Sequence, residues 1–123
     1  MNLLCLNNYA YYLSQEGRNL EKAEEMSHIT VDVEPDNPTY LDTYAWILFQ
    51  MGQYEQARIY INETLRHASE TPQNASLYDH AGDIYFRCKD RKKALEYWKI
   101  ALDLTQDKAA KRKIQRKIWR KRI

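Results

Sequence analysis

Glycine, proline and cysteine are all scarce in this chain of 123 residues, which holds three glycines, three prolines and two cysteines. A β-rich fold needs many turns, so this scarcity favours helices. Cys5 and Cys88 lie far apart in the sequence and form no CxxC motif, which argues against the usual zinc and redox sites. We expect both thiols to be buried as small hydrophobic groups rather than joined in a disulfide.

Long hydrophobic runs are also missing. No run approaches the roughly 20 apolar residues that span a membrane, and the start, MNLLCLNN, lacks the basic segment and long apolar core of a signal peptide. The sequence therefore predicts no transmembrane segment and leaves the compartment open. Because the chain begins inside a helical pattern, we expect it to be a fragment of a longer protein.

Acidic residues are absent from the C-terminal end of the chain. Residues 1–107 hold all 17 acidic residues and ten of the 19 basic ones, which gives a net charge of −7. Residues 108–123 hold the other nine basic residues and carry +9, an asymmetry hidden in the overall charge of +2. The C-terminal segment is therefore predicted to be a separate electrostatic surface.

Catalytic motifs are missing as well. His28, His67 and His80 fall on different predicted hairpins or helix ends, without HExxH or Cys/His ligand spacing. The chain has no GxSxG motif and no glycine-rich phosphate loop. His80 lies beside Asp79 and near Asp83, but a solvated helix face explains this group better than a metal site. We therefore predict no catalytic residue, no metal, no cofactor and no enzymatic activity.

The segment Pro38–Arg66 has the pattern of two antiparallel helices joined by a turn at Gly52. Each helix carries apolar residues at helical spacing on one face: Leu41, Tyr44, Ala45 and Leu48 in the first, and Tyr54, Ala57, Ile61 and Leu65 in the second. Ala45 and Ala57 allow the two backbones to approach to about 8–10 Å. A single hairpin leaves its apolar faces in water, so this one requires neighbours.

Small residues recur at equivalent places and predict three such hairpins. They are Ala10, Ala45 and Gly82 in the first helices, and Ala23, Ala57 and Ala94 in the second helices. The expected helices cover residues 3–16 and 20–33, 38–51 and 54–67, and 75–88 and 91–105. A seventh helix is expected at about 107–121, with Asp107 as its N-cap.

This repeat resembles the tetratricopeptide repeat over about residues 6–106. The third copy fits the family's alternation of aromatic and small residues best, at Tyr78, Ala81, Gly82, Tyr85, Ala94, Trp98 and Ala101, whereas Ser27, Thr30 and Thr64 depart from it. The resemblance implies an all-α, α/α superhelix. Three hairpins would occupy residues 1–106 (3–35, 38–69 and 75–106), and a basic capping helix would occupy 107–123. Segments such as ALEYWKIAL also look like the C-terminal repeats of long bacterial proteins, several of them from the cell envelope.

The resemblance further implies a protein–protein interaction scaffold that binds a peptide or helix on its concave face. The residues at the corresponding positions are Asn7, Tyr11, Asp42, Trp46, Gln50, Asp79, Asp83 and Arg87. The family's carboxylate clamp uses lysine, asparagine and arginine at these places, and only Asn7 agrees. Asp42, Asp79 and Asp83 would repel a carboxylate. We therefore expect a neutral or basic partner segment.

The C-terminal helix carries two stripes with different implications. Ala110, Ile114 and Ile118 form an apolar stripe, which suits a cap on the last hairpin and is the role that we prefer. A second stripe, Arg112, Arg116, Trp119 and Ile123, lies roughly opposite. It predicts an alternative function, binding to nucleic acid or to an anionic membrane surface, with nucleic acid the less expected partner. An acidic partner, including a second copy of the chain in a homodimer, fits the same stripe.

Overall fold

The computed structural model describes residues 2–67 and 74–121. In this part of the chain there are seven α-helices and no strand. The helices are α1 (Leu3–Glu16), α2 (Leu20–Val33), α3 (Pro38–Gln50), α4 (Tyr54–His67), α5 (Ala75–Arg87), α6 (Arg91–Leu104) and α7 (Lys108–Arg120). The prediction of an all-α fold is confirmed, and every helix begins and ends within one residue of its predicted position.

Polar side chains set where most of these helices begin. Side-chain oxygens cap the N-termini of α1, α3, α5, α6 and α7 by accepting backbone N–H groups; they belong to Asn2, Asn37, Asn74, Asp90 and Asp107. Asp107 accepts the backbone N–H of Ala110 at 2.9 Å, as the sequence predicted. Pro38 occupies the first turn of α3, where its missing N–H leaves no hydrogen bond unmade.

The turns inside the hairpins need a residue in the left-handed region. Gly17 has φ 66° and Gly52 has φ 82°, which confirms that Gly52 ends its helix in this conformation. In the third hairpin Lys89 takes the equivalent place with φ 67°. The left-handed conformation is less favourable for a residue with a Cβ than for glycine.

The helices form two compact units, Met1–Thr71 and Pro72–Ile123. In the first unit α1 packs on α2, α2 on α3 and α3 on α4, and α1 also contacts α3. In the second unit α5 packs on α6 and α6 on α7. Within each unit, helices adjacent in sequence are therefore packed together, as expected for helical hairpins.

Small residues lie at the helix crossings of both units. Ala10, Ala23, Ala45 and Ala57 are wholly buried in the first unit, and Ala94 is wholly buried in the second. The predicted burial of Ala57 and Ala94 is therefore confirmed. Close backbone approach at these points lets the larger side chains interdigitate around them.

The prediction that both cysteines are buried was wrong. Cys5 is exposed and Cys88 is half-buried. The buried stripe of α1 runs through Asn7, Ala10 and Ser14, and Cys5 lies on the opposite side of that helix. As for membrane insertion, no helix in residues 2–67 and 74–121 has the length and apolar character needed to span a bilayer.

Candidate functional site

In the first unit, α1 and α3 carry five of the residues predicted to bind a partner. Their four-residue spacing places Asn7 and Tyr11 on one face of α1, and Asp42, Trp46 and Gln50 on one face of α3. Because α1 contacts α3, the two sets come from packed helices. Tyr11, Asp42 and Trp46 are half-buried and Gln50 is exposed.

Tyr11 and Asp42 interact electrostatically. Burial raises the pKa of the Tyr11 hydroxyl, and the negative charge of Asp42 raises it further. The hydroxyl therefore stays protonated near neutral pH, and it accepts a hydrogen bond from Nε2 of Gln15 at 2.8 Å. The Trp46 ring stacks on Phe49 with ring centroids 4.9 Å apart. The face thus combines one carboxylate with two partly covered aromatic rings.

Asn7 does not reach this surface. Its exposed fraction is 3%, and its Oδ1 atom is buried with no hydrogen-bond partner in the structure. A buried carbonyl without a partner lowers stability by about 1–3 kcal/mol. We have no structural account of what offsets this cost.

In the second unit, two predicted site residues bind a lysine of the same chain. Asp79 and Asp83 are one turn apart on α5, and Lys117 of α7 lies between them. The Lys117 Nζ donates to Asp79 Oδ1 at 2.8 Å, and to Asp83 Oδ1 at 3.0 Å and Oδ2 at 3.2 Å. The side chains of Lys117 and Asp83 are only 16% and 7% exposed. Asp83 is therefore buried against α7.

Trp98 of α6 completes this network. Its indole Nε1 donates to Asp83 Oδ1 at 3.0 Å, and its ring is wholly buried. The ring lies directly over Gly82, where an added Cβ would come within 2.2 Å of the indole Cδ1. Only glycine at this position lets the indole lie close enough to reach the carboxylate.

The charges in this network are mutually dependent. Burial raises the pKa of Asp83, and the positive charge of Lys117 offsets that effect only in part. Burial alone lowers the pKa of Lys117, but the charges of Asp83 and Asp79 outweigh it and raise the pKa above its ordinary value. Lys117 therefore stays positively charged, and it forms a buried ionic network with Asp79 and Asp83.

The remaining predicted residues of the second unit behave differently. Arg87 is exposed at the end of α5. His80 is buried, so its assignment to a solvated helix face was wrong. No group of three or more His, Cys, Asp and Glu residues in the described part of the chain is arranged to hold a metal ion.

Lys117 is the member of this network that the sequence alone did not indicate. The interpretation of α7 rested on Ile114, Ile118 and the basic stripe, and it assigned Lys117 to neither. One signal was present, because Lys117 is three residues after Ile114 and adjacent to Ile118, which places it at the edge of the inward stripe. No pattern in the sequence, however, pairs it with Asp79 and Asp83.

The two stripes of α7 differ in burial as predicted. Ile114 is 3% exposed and Ile118 is half-buried, while Arg112, Arg116 and Trp119 are exposed. The Trp119 side chain is 72% exposed, the most of any large hydrophobic residue in the described part of the chain. The outer side of α7 is therefore basic with one aromatic ring in water.

No family model matches the chain, and no curated protein matches it in sequence. Solved structures do match it in fold. The first TPR domain of human RPAP3 superposes with a TM-score of 0.74 at 18% identity, over 97% of this chain and 94% of that one. The Sgt2 TPR domain from Aspergillus fumigatus gives 0.72 at 20% identity, over 94% and 78%. The N-terminal domain of STI-1 from C. elegans gives 0.66 at 15% identity, over 93% and 92%. The fold is therefore that of a tetratricopeptide repeat domain.

Proposed function

We propose that this chain is a protein–protein interaction scaffold that binds a segment of a partner protein and catalyses no reaction. The fold supports the proposal, because the structure of the yeast Sti1 TPR2AB domain, determined in complex with pHSP90, superposes on this chain with a TM-score of 0.68 at 17% identity. The alignment covers 96% of this chain and 48% of that one. We further propose the division into three hairpins within residues 1–106 and a cap at 107–123.

The observation that carries the proposal is the α1/α3 face, defined by Tyr11, Asp42, Trp46 and Gln50. A carboxylate on the same face as aromatic rings attracts a cation, and the rings offer faces for cation–π contact. We therefore propose that this face selects a neutral or basic segment. The acidic pair on α5 is left out of this proposed face, because Lys117 of the same chain already satisfies it.

A selection from a random peptide library tests this function without a known partner. We expect the enriched peptides to be neutral or basic, and to lose binding to Asp42→Asn and Trp46→Ala variants. A matched Glu25→Gln variant, which removes an exposed acid from α2, should retain binding. Enrichment of peptides that end in clustered carboxylates, and that need those carboxylates to bind, would overturn the charge preference.

A second candidate function is favoured by the exposure of Trp119 beside Arg112 and Arg116. This face of α7 presents cations and one ring, which suits an anionic surface such as a nucleic acid or an anionic membrane. Binding of a single-stranded oligonucleotide or of anionic vesicles should weaken steeply with salt. It should also weaken in an Arg112→Gln/Arg116→Gln variant and survive in a Lys92→Gln/Lys99→Gln control. Equal losses in both variants would leave only nonspecific charge attraction.

The origin of the chain in a bacterial envelope protein stays a prediction. It rests on segments such as ALEYWKIAL, and the structural neighbours named above come from human, fungal and nematode proteins.

A further inference from the structure

The outer face of α2 combines acidic residues with exposed apolar ones. Glu21, Glu25 and Asp32 share this face with Ile29 and Val33, because their spacing follows the helical repeat. Ile29 is 40% exposed and Val33 is 60% exposed. Ile29 and Val33 therefore add exposed apolar surface to an acidic helix face.

The charge around this face is strongly negative. Residues 21–36 include six acidic residues and one lysine. The whole of residues 1–71 holds eleven acidic and four basic residues, a net charge of −7. Asp32 lies 3.0 Å from the imidazole of His28, which neutralises part of this charge when the imidazole is protonated. The exposed Glu21 and Glu25 have two cations near them in sequence, Arg18 and Lys22.

The outer face of α7 is its complement. Lys108, Arg112, Arg116 and Arg120 are all exposed and recur every four residues, about 6 Å apart along the axis. Trp119 stands among them with 72% of its side chain exposed. One face thus presents acids with two aliphatic groups, and the other presents cations with one indole.

We infer that α2 of one copy docks against α7 of a second copy. This inference takes the outer face of α7, the basis of the second candidate function, and names an acidic face of the same protein as its partner. A membrane is disfavoured because Ile114 faces inward, so that within residues 108–121 Trp119 is the one large apolar side chain on the outer face. A nucleic acid would leave Ile29 and Val33 in water and would be repelled by the acidic residues 1–71. Contact between α2 of one copy and α7 of another covers one face of each kind.

A parallel register satisfies both kinds of group. Glu21 then lies opposite Lys108 and Glu25 opposite Arg112, because both pairs are separated by four residues. The same alignment places Trp119 level with Asp32, between Ile29 and Val33 and near the C-termini of the two helices. One helix against one helix buries less than a standard interface of roughly 1,200–2,000 Å². The contact is therefore weak and depends on salt.

Sedimentation of the full chain tests the inference through charge reversal. We expect the wild type to self-associate at about 50 mM salt and to lose about tenfold or more of that affinity at about 500 mM. The variant Glu21→Lys/Glu25→Lys should be monomeric alone, and so should Arg112→Glu/Arg116→Glu. Mixed together, the two variants should associate, because each supplies the face that the other has lost. Their circular dichroism should match the wild type, since all four side chains are exposed.

Two controls separate a specific contact from general charge effects. Lys92→Glu/Lys99→Glu changes the net charge as much as the arginine variant but alters exposed residues of α6, and it should associate like the wild type. Trp119→Ser should weaken association, whereas Ile59→Ser on α4, which removes another exposed apolar side chain, should not. Equal weakening in the α6 control would overturn the inference, as would failure of the mixed variants to associate.

The second candidate function gives a different pattern. If α7 serves nucleic acid or membranes instead, the wild type stays monomeric at low salt while a single-stranded oligonucleotide or anionic vesicles bind through Arg112 and Arg116. That result overturns the inference and retains the second candidate. Absence of both self-association and anion binding removes both, and it leaves the α1/α3 face untouched.

Discussion

Gly82 occupies a position in the second unit where even one added side-chain carbon would clash with Trp98. In a helix interior, alanine is normally more stabilising than glycine by about 0.5–1 kcal/mol. Here the added methyl group would sit 2.2 Å from the buried Trp98 ring, and the steric effect outweighs the helix preference.

We therefore predict that Gly82→Ala destabilises the protein by about 1–3 kcal/mol, the usual cost of overpacking. Urea denaturation would measure the change in the free energy of unfolding. In a Trp98→Ala background the same substitution should cost less, because the clashing ring is absent. A Gly82→Ala variant as stable as the wild type would mean that the indole does not lie over α5 as described.

Lys117 is the second single residue on which the second unit depends. Removing one partner of a buried ion pair leaves the other charge without compensation, which costs about 3–5 kcal/mol. We predict a loss of that size for Lys117→Met, measured by urea denaturation. The neighbouring exposed Lys113→Met should change stability by no more than roughly 0.5 kcal/mol.

The double variant Asp83→Asn/Lys117→Met supplies the control for this explanation. It removes the buried carboxylate together with the cation, so it should be more stable than Lys117→Met alone. If the double variant is less stable than the single one, side-chain packing of Lys117 rather than charge explains the loss.

Among the elements, the turn of the third hairpin departs from the other two. Lys89 holds φ 67°, where the first two hairpins place Gly17 and Gly52. Left-handed backbone costs a residue with a Cβ about 1–2 kcal/mol relative to its preferred regions. We predict that Lys89→Gly stabilises the protein by about 0.5–1 kcal/mol, with a higher melting temperature.

Lys99→Gly is the matched control for that prediction. It also replaces an exposed lysine by glycine, but inside α6, where glycine costs about 1 kcal/mol. Opposite shifts of the melting temperature in the two variants would support the backbone explanation. A destabilised Lys89→Gly variant would contradict it.

The C-terminal helix is predicted to contribute to stability through one of its faces only. Replacing Ile114 by Ser should destabilise the protein by about 1.5–3 kcal/mol, because a fully buried side chain is lost. Ile118→Ser should cost less, since Ile118 is half-buried. Arg112→Ala/Arg116→Ala/Trp119→Ala should leave chemical denaturation nearly unchanged. A triple variant that unfolds while Ile114→Ser stays stable would reverse the assignment of the two faces.

The ends of the elements were predictable from sequence because they depend on local chemistry. Asn37 with Pro38, and Asp107 before a helical pattern, mark starts that neighbouring residues alone determine. The burial of Asp83 was not predictable in this way. Its partners are 15 and 34 residues away, and only packed helices bring them together. The predicted burial of Cys5 was wrong for a related reason. The thiol is a small hydrophobic group, which suggested burial, but the position of Cys5 on α1 places it in solvent.

For the molecule as a whole, alkaline pH should lower the free energy of unfolding, because some groups have a higher pKa in the folded state than in the unfolded state. Burial raises the pKa of Tyr44 well above its ordinary range, and its 2.6 Å hydrogen bond to Glu24 and the charge of that carboxylate add to the effect. The pKa of Lys117 is also raised in the folded state. Both groups contribute stability that is complete below about pH 10 and is lost as the pH rises further.

We predict that the free energy of unfolding falls above about pH 10, and that Tyr44→Phe makes this fall shallower. Urea denaturation between about pH 8 and pH 11 would measure both slopes. Tyr12→Phe, which removes the hydroxyl of an exposed tyrosine, is the control for the loss of any tyrosine. Identical slopes for the two variants would show that the environment of Tyr44 has no effect on stability.

The long sequence separation of the Lys117 contacts affects the kinetics of folding as well as stability. Its bonds to Asp79 and Asp83 close 38 and 34 residues of chain, whereas each hairpin closes through helices adjacent in sequence. Contacts between distant residues form slowly because the intervening chain must first be ordered. We therefore expect the ion pair to form after the α5–α6 hairpin. We also expect the time for which α7 stays docked to depend on the loss of this ion pair and of the buried Ile114 contact, more than on how fast the hairpins fold.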